Sequence, residues 1–156
     1  MSIEAQSPTS PYDFSQPQPF TMIGTSLLTS GKSSDLLALA PQLWVSAKVY
    51  AEGGERGFHS HPTEDHLFFV LAGKAIFSDS DNQTTVVEPF AGIMIPRSVV
   101  YSFSAVGDEN LVILRVGAGE SSAMKNGIVA AKQSTHARSP EKGSPRPGSV
   151  FTAPSS

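Results

Sequence analysis

The chain contains no cysteine. Disulfides, thiolate metal sites and a cysteine nucleophile are therefore excluded. Charge is sparse as well: charged side chains make up 16% of the 156 residues, with 11 basic against 14 acidic and a formal net charge of −3. No excess of basic residues points to nucleic acid or to an anionic membrane surface. No apolar stretch approaches the ~20 residues of a membrane span. The opening MSIEAQSPTSPYDFSQPQPF lacks the basic start and apolar run of a secretory signal. A soluble, cytoplasmic protein is the expectation. What the chain has in quantity is turn chemistry, with 12 Pro and 13 Gly, which suits a mostly β chain better than a helical bundle. Its length corresponds to about one domain, enough to bury roughly two-thirds of the unfolded surface.

The ends differ from the middle. Residues 1–19 carry Pro8, Pro11, Pro17 and Pro19 among Ser, Thr and Gln and read as a flexible arm. Residues 119–156 form a Ser-, Pro- and Gly-rich tail with one short helix candidate over Ser121–Gln133. The tail is basic and the rest of the chain acidic, so two readings stand: a solvated tail, or one lying on its own body or a partner subunit through Val150 and Phe151. Between the arms, residues 20–118 alternate short β-rich runs with turns. The expected strands are 43–51, 66–72, 75–80, 84–89, 92–96, 99–105 and 111–116. Short strands about ten residues apart indicate an all-β sandwich or barrel.

Three of the four histidines fall within GFHSHPTEDHLFF: His59, His61 and His66. Side chains alternate faces in an extended segment, so His59 and His61 point the same way. Pro62-Thr63-Glu64-Asp65 reads as a turn, with Glu64 solvated, after which His66 opens the next strand and folds back across the pair. Three neutral imidazoles from two strands suit a divalent transition metal such as Zn, Fe, Ni, Cu or Mn. His136, alone in the tail, reads as solvated.

The stretch Gly53-x5-His59-x-His61-x4-His66-x6-Gly73 resembles the first motif of the cupin superfamily, G-x5-H-x-H-x3,4-E-x6-G. The second motif, G-x5-P-x-G-x2-H-x3-N, is similar in outline only. Pro96 holds the proline place and Gly92 lies near the first glycine. Ser98 stands for the second glycine, Tyr101 for the histidine and Ala105 for the asparagine. The resemblance implies a double-stranded β-helix (a jelly-roll barrel) between the flexible arms. It also implies a metal inside the mouth, and a protein that is commonly dimeric. It carries His59 and His61 over as ligands, puts His66 in the place of the usual Glu, and sets Tyr101 facing the same ion. Tyr101 is then a phenolate ligand, a hydroxyl donor beside the ion, a general base, or a ring that fills the barrel. Asp65 is a rival ligand, one residue off the strand parity of His66.

With three imidazoles and no carboxylate, such a centre would keep its full +2 charge and favour an anionic, oxygen-donor ligand. Phe68, Val70 and Phe103 share parity with His66 or Tyr101 and would line an apolar wall. The resemblance thus implies a metal-dependent enzyme acting on a small oxygenated substrate. Dioxygenase chemistry on Fe2+ is favoured over isomerase or lyase chemistry, and the alternative is a non-catalytic cupin that binds a small ligand or metal. A homodimer is expected, because an open edge strand is otherwise an aggregation liability.

Overall fold

The computed structural model describes residues 13–119 and 143–154, and among these it contains strands and no helix. The helix candidate over 121–133 and His136 lie outside the described residues. Eleven strands follow in order: β1 Ser26–Ser30, β2 Lys32–Ala40, β3 Leu43–Tyr50, β4 Gly54–His59, β5 Glu64–Ala72, β6 Lys74–Asp79, β7 Thr84–Val87, β8 Gly92–Ile95, β9 Tyr101–Val106, β10 Leu111–Gly119 and β11 Ser144–Val150. They form a five-stranded sheet β2-β3-β10-β5-β8, a four-stranded sheet β4-β9-β6-β7, and a two-stranded ribbon β1-β11. All pairings are antiparallel. The fold is all-β, a double-stranded β-helix as the motif implied.

The two larger sheets enclose a core of Tyr50, Phe68, Val70, Phe77, Tyr101, Phe103, Leu111 and Ile113, all nearly or fully buried. Aromatic rings dominate its centre: Phe103 meets Tyr50 edge-on at 5.3 Å and stacks on Phe77 at 4.9 Å. Phe68, Val70 and Phe103 are therefore the apolar wall that their parity indicated. The turn between β5 and β6 depends on Gly73, whose φ is +71° and where a Cβ would lie 2.6 Å from the Asn110 carbonyl oxygen. Only glycine accepts both conditions.

The outer face of the five-stranded sheet carries a second core of Met22, Leu28, Ala47, Val49, Val112 and Phe151. Residues 144–150 are not solvated coil but β11, laid along β1, and Phe151 donates to the Thr25 carbonyl at 2.7 Å while its own carbonyl accepts from Gly24 at 2.8 Å. Phe151 is buried and Val150 is exposed, so only the first acts as an anchor. Asn110 locks this layer to the barrel: its side chain accepts from Leu28 N–H at 2.8 Å and donates to Leu28 C=O at 3.0 Å. At the N-terminal side Gln18 does the same for edge strand β2, exchanging two hydrogen bonds of 2.8 Å with the backbone of Leu39.

Candidate functional site

The polar side chains of the barrel interior gather at one end, and strand pairing puts them there. β4 pairs with β9 so that His59 stands opposite Tyr101, their rings 4.4 Å apart. His61 follows in the loop after β4. β5 begins at Glu64 rather than at His66, so the turn is shorter than the sequence suggested and Glu64 and Asp65 belong to the strand. Alternation along β5 sends Glu64, His66, Phe68 and Val70 inward, all buried. β10 lies beside it, with Gly117 opposite His66 and Arg115 opposite Phe68. Inward from β10 therefore comes a cation, Arg115, with 4% of its surface exposed.

Arg115 is the hub of the cluster. One terminal nitrogen donates to both carboxylate oxygens of Glu55, at 2.9 and 3.0 Å. The other lies 3.0 Å from the Tyr101 hydroxyl, 3.0 Å from His66 Nδ1 and 3.3 Å from His61 Nε2. Its Nε sits 3.3 Å from His66 Nδ1. The guanidinium lies over the Phe68 ring, its carbon 4.7 Å from the ring centroid. A guanidinium has donors only, so the two N–H groups of the second terminal nitrogen are shared among three neighbours that present acceptor atoms.

That rule fixes the protonation of the cluster. His66 Nδ1 and His61 Nε2 both face Arg115 and are unprotonated, so both imidazoles are neutral. Burial and then the neighbouring Arg115 charge hold His61 down to about 4 and His66 to about 3. Burial pushes the Tyr101 phenol well above its ordinary value, against the opposing pull of Arg115. Tyr101 is thus a hydroxyl that accepts from Arg115 and donates to His61 Nε2 at 3.1 Å. For Glu55, burial works upward, but the Arg115 charge and hydrogen bonds outweigh it, with Lys48 and His59 adding, and the carboxyl ends below its ordinary range. Arg115 itself is held fully charged: burial lowers its affinity for the proton, and Glu55 more than restores it.

Behind His66 lies a second polar step. With Nδ1 accepting, the ring proton of His66 sits on Nε2, which makes no hydrogen bond among the described residues and lies 3.6 Å from Glu64 Oε2. Glu64 is buried, not the solvated turn residue its sequence context suggested, and its Oε2 accepts from Trp44 Nε1 at 2.5 Å. Gly117 makes this possible. A Cβ there would lie 2.2 Å from the Trp44 ring, so the indole crosses β10 only because that position has no side chain.

The motif resemblance implied a metal at this mouth, and the four expected ligands do meet there, but not as a cage. The guanidinium nitrogen occupies the point on which His61, His66 and Tyr101 converge. The His61 and His66 rings stack in parallel, 3.9 Å between centroids and 16° between planes. His59 turns its Nδ1 to the Gly57 carbonyl at 2.7 Å. Among the described residues no group of three or more His, Cys, Asp or Glu side chains is arranged to hold a metal ion. At 4 Å a unit charge beside Arg115 would meet about 4 kcal/mol of repulsion, and a dication about twice that, at the effective dielectric of a partly open site. The residues as placed do not fit a metal. Asp65, the rival ligand, points away: it binds the backbone and side chain of Arg97 at the surface, which holds its carboxyl down to about 2.

Arg115 and Trp44 are the residues that reading the histidines alone overlooked. A signal for Arg115 was present: in LVILRV it interrupts an apolar run at the same parity as Leu111 and Ile113. The second motif is sounder than its letters suggested. Its two glycine places, 90 and 98, are held by Phe90 and Ser98, and both adopt the left-handed backbone of glycine, at φ +65° and +68°.

Residues 48–117 match the Cupin domain family. The uncharacterised protein YdbB of Bacillus subtilis strain 168 is 35% identical over 48 residues, which are 31% of this chain and 42% of that protein, so less than half of that relative's length is matched. Among solved structures, a mannose-6-phosphate isomerase-like protein of Ralstonia eutropha JMP134 superposes with a TM-score of 0.59 at 16% identity, over 66% of this chain and 99% of that one. KdgF from a Halomonas species does so with a TM-score of 0.50 at 18% identity, over 56% of this chain and 79% of that one. At such identities the likeness concerns the fold. Motif spacing, left-handed turns and barrel topology agree with the family match, and residues 48–117 of the chain are a cupin domain.

Proposed function

We propose that the protein is a small-molecule cupin whose mouth receives a compact, oxygenated organic anion. The observation that carries this reading is the fixed, charged guanidinium of Arg115 at the mouth end of an otherwise apolar barrel. Lys48 lies on the same inward face of β3 as Tyr50, and its charge helps to hold the Glu55 carboxyl down. His59, His61 and Tyr101 add neutral donors and acceptors that suit carboxylate, enolate and hydroxyl oxygens.

Calorimetric titration with malonate, 2-oxoglutarate and mannose 6-phosphate tests the reading, with glycerol as the uncharged control. At least one anion is expected to bind, more weakly as salt rises and not at all in His61→Ala. Equal responses to the anions and to glycerol would remove the reading. A second reading is metal-dependent chemistry of dioxygenase, isomerase or lyase type, with Fe2+ or another divalent metal on His59, His61, His66 and Tyr101. It draws support from the gathering of those four side chains and requires Arg115 to withdraw. Bound iron in untagged protein, with substrate-dependent O2 uptake, would establish it.

A further inference from the structure

We propose that Arg115 stands in for the metal ion, so that the native mouth does not fit a metal, and that replacing it uncovers a divalent-metal site built from His61, His66 and Glu55. Three observations converge. The atoms that would ligate an ion, His61 Nε2 and His66 Nδ1, are unprotonated and aimed at one guanidinium nitrogen, with the Tyr101 hydroxyl beside them. The cation is buried and cannot share its place with a second one. Its other nitrogen holds both oxygens of Glu55. Glu55 enters from β4, the strand that ends in His59, whereas the carboxylate place of the first cupin motif is occupied by His66 on β5.

Arg115 therefore satisfies a donor-hungry cavity from inside the chain. Taking it away leaves the His61 and His66 imidazoles, the Glu55 carboxylate and the Tyr101 phenol without their partner, a donor set that suits Zn2+ or Co2+. Each nitrogen would have to close by about 1 Å to reach metal-bonding distance, since Zn–N bonds are about 2.0–2.1 Å. The permanent charge also makes the mouth insensitive to metal supply. In the native chain an anion would meet a cation that no chelator removes.

The test is a Co2+ titration of untagged protein dialysed against EDTA, read by the visible absorption of the ion and by calorimetry. The native chain is expected to take up no stoichiometric ion at micromolar concentration. Arg115→Met keeps an unbranched apolar side chain at the position and is expected to bind one equivalent, at least ~100-fold more tightly, with His61→Ala in that background abolishing the gain. Should Arg115→Met fail to fold by circular dichroism, Arg115→Gln, which keeps a neutral donor toward the Glu55 carboxylate, carries the same expectation. One equivalent of Co2+ on the native chain, lost in His61→Ala, overturns the proposal. So does a folded Arg115 variant that binds no better than the native chain. The titration is separable from the anion reading: a native chain that binds neither anion nor metal removes that reading and leaves this one standing.

Discussion

The mouth and the floor of the barrel are consecutive inward positions on the same strands, yet their chemistry is opposite. On β10 the step is from Arg115 to Ile113, on β5 from His66 to Phe68, and on β9 from Tyr101 to Phe103. One residue pair along each strand separates a hydrogen-bonded polar layer from a dry aromatic one. The floor gains its stability from contact area and is indifferent to pH. The mouth holds a buried charge that is tolerable only while every partner stays in place. The two layers meet at Phe68, whose ring packs against both the His66 imidazole and the Arg115 guanidinium.

Four measurements would break or sharpen that contrast. Phe103→Ala attacks the floor, removing a ring that touches Tyr50, Phe68 and Phe77. A loss of about 3–5 kcal/mol is expected from urea unfolding. A loss below about 1 kcal/mol would mean that the floor does not bear the load assigned to it. Glu55→Ala attacks the mouth by leaving Arg115 buried without its counter-charge. The expected cost is about 3 kcal/mol, at the lower end for a buried pair because Glu55 keeps some exposure to water. A double-mutant cycle with Arg115→Met should recover much of it.

Acid should act on the mouth first. His61 and His66 protonate in the folded protein only near 4 and 3, below the ordinary imidazole value of 6.5. As pH falls below about 6.5 the unfolded chain therefore takes up protons first, and stability that is whole above this value declines toward pH 4. A loss on the order of 2 kcal/mol across that window is expected in EDTA-treated protein. Melting temperatures that stay flat from pH 7 to 5 would contradict the neutral, acceptor-only imidazoles. The smallest effect belongs to neither layer. Ser98→Gly removes the cost of a left-handed serine and should stabilise the fold by about 1 kcal/mol, visible as a rise in melting temperature.

Most of the barrel was legible in the sequence because strands and turns leave local marks. Trp44 to Tyr50, the 66–72 run and 111–116 all combine β-formers with bounding turn residues. β2, KSSDLLALA, was missed because its pattern carries no clean alternation, and SPRPGSV hides a strand behind two prolines that suit only an edge. His59, His61, His66 and Tyr101 were found together because motif spacing records strand parity. What occupies the space between them was not legible. Whether an inward arginine reaches a mouth or a rim is decided by which strand lies next to it, and the β10–β5 pairing joins residues nearly fifty positions apart. Glu64 was misplaced for a related reason: its burial follows from Trp44 crossing at Gly117, an event on two other strands.

The ribbon of β1 and β11 ties together residues 115 positions apart, as in the bond from Thr29 to Ser144. During synthesis the barrel strands through Gly119 emerge first, while Leu28, Val49 and Val112 await the cover that Phe151 supplies. Closure of the outer layer is therefore a late, non-local event, with a large loop to draw in before any contact rewards it. Until residue 151 clears the ribosome, the nascent chain presents an open apolar sheet face, and this is the interval in which a chaperone would have most to hold.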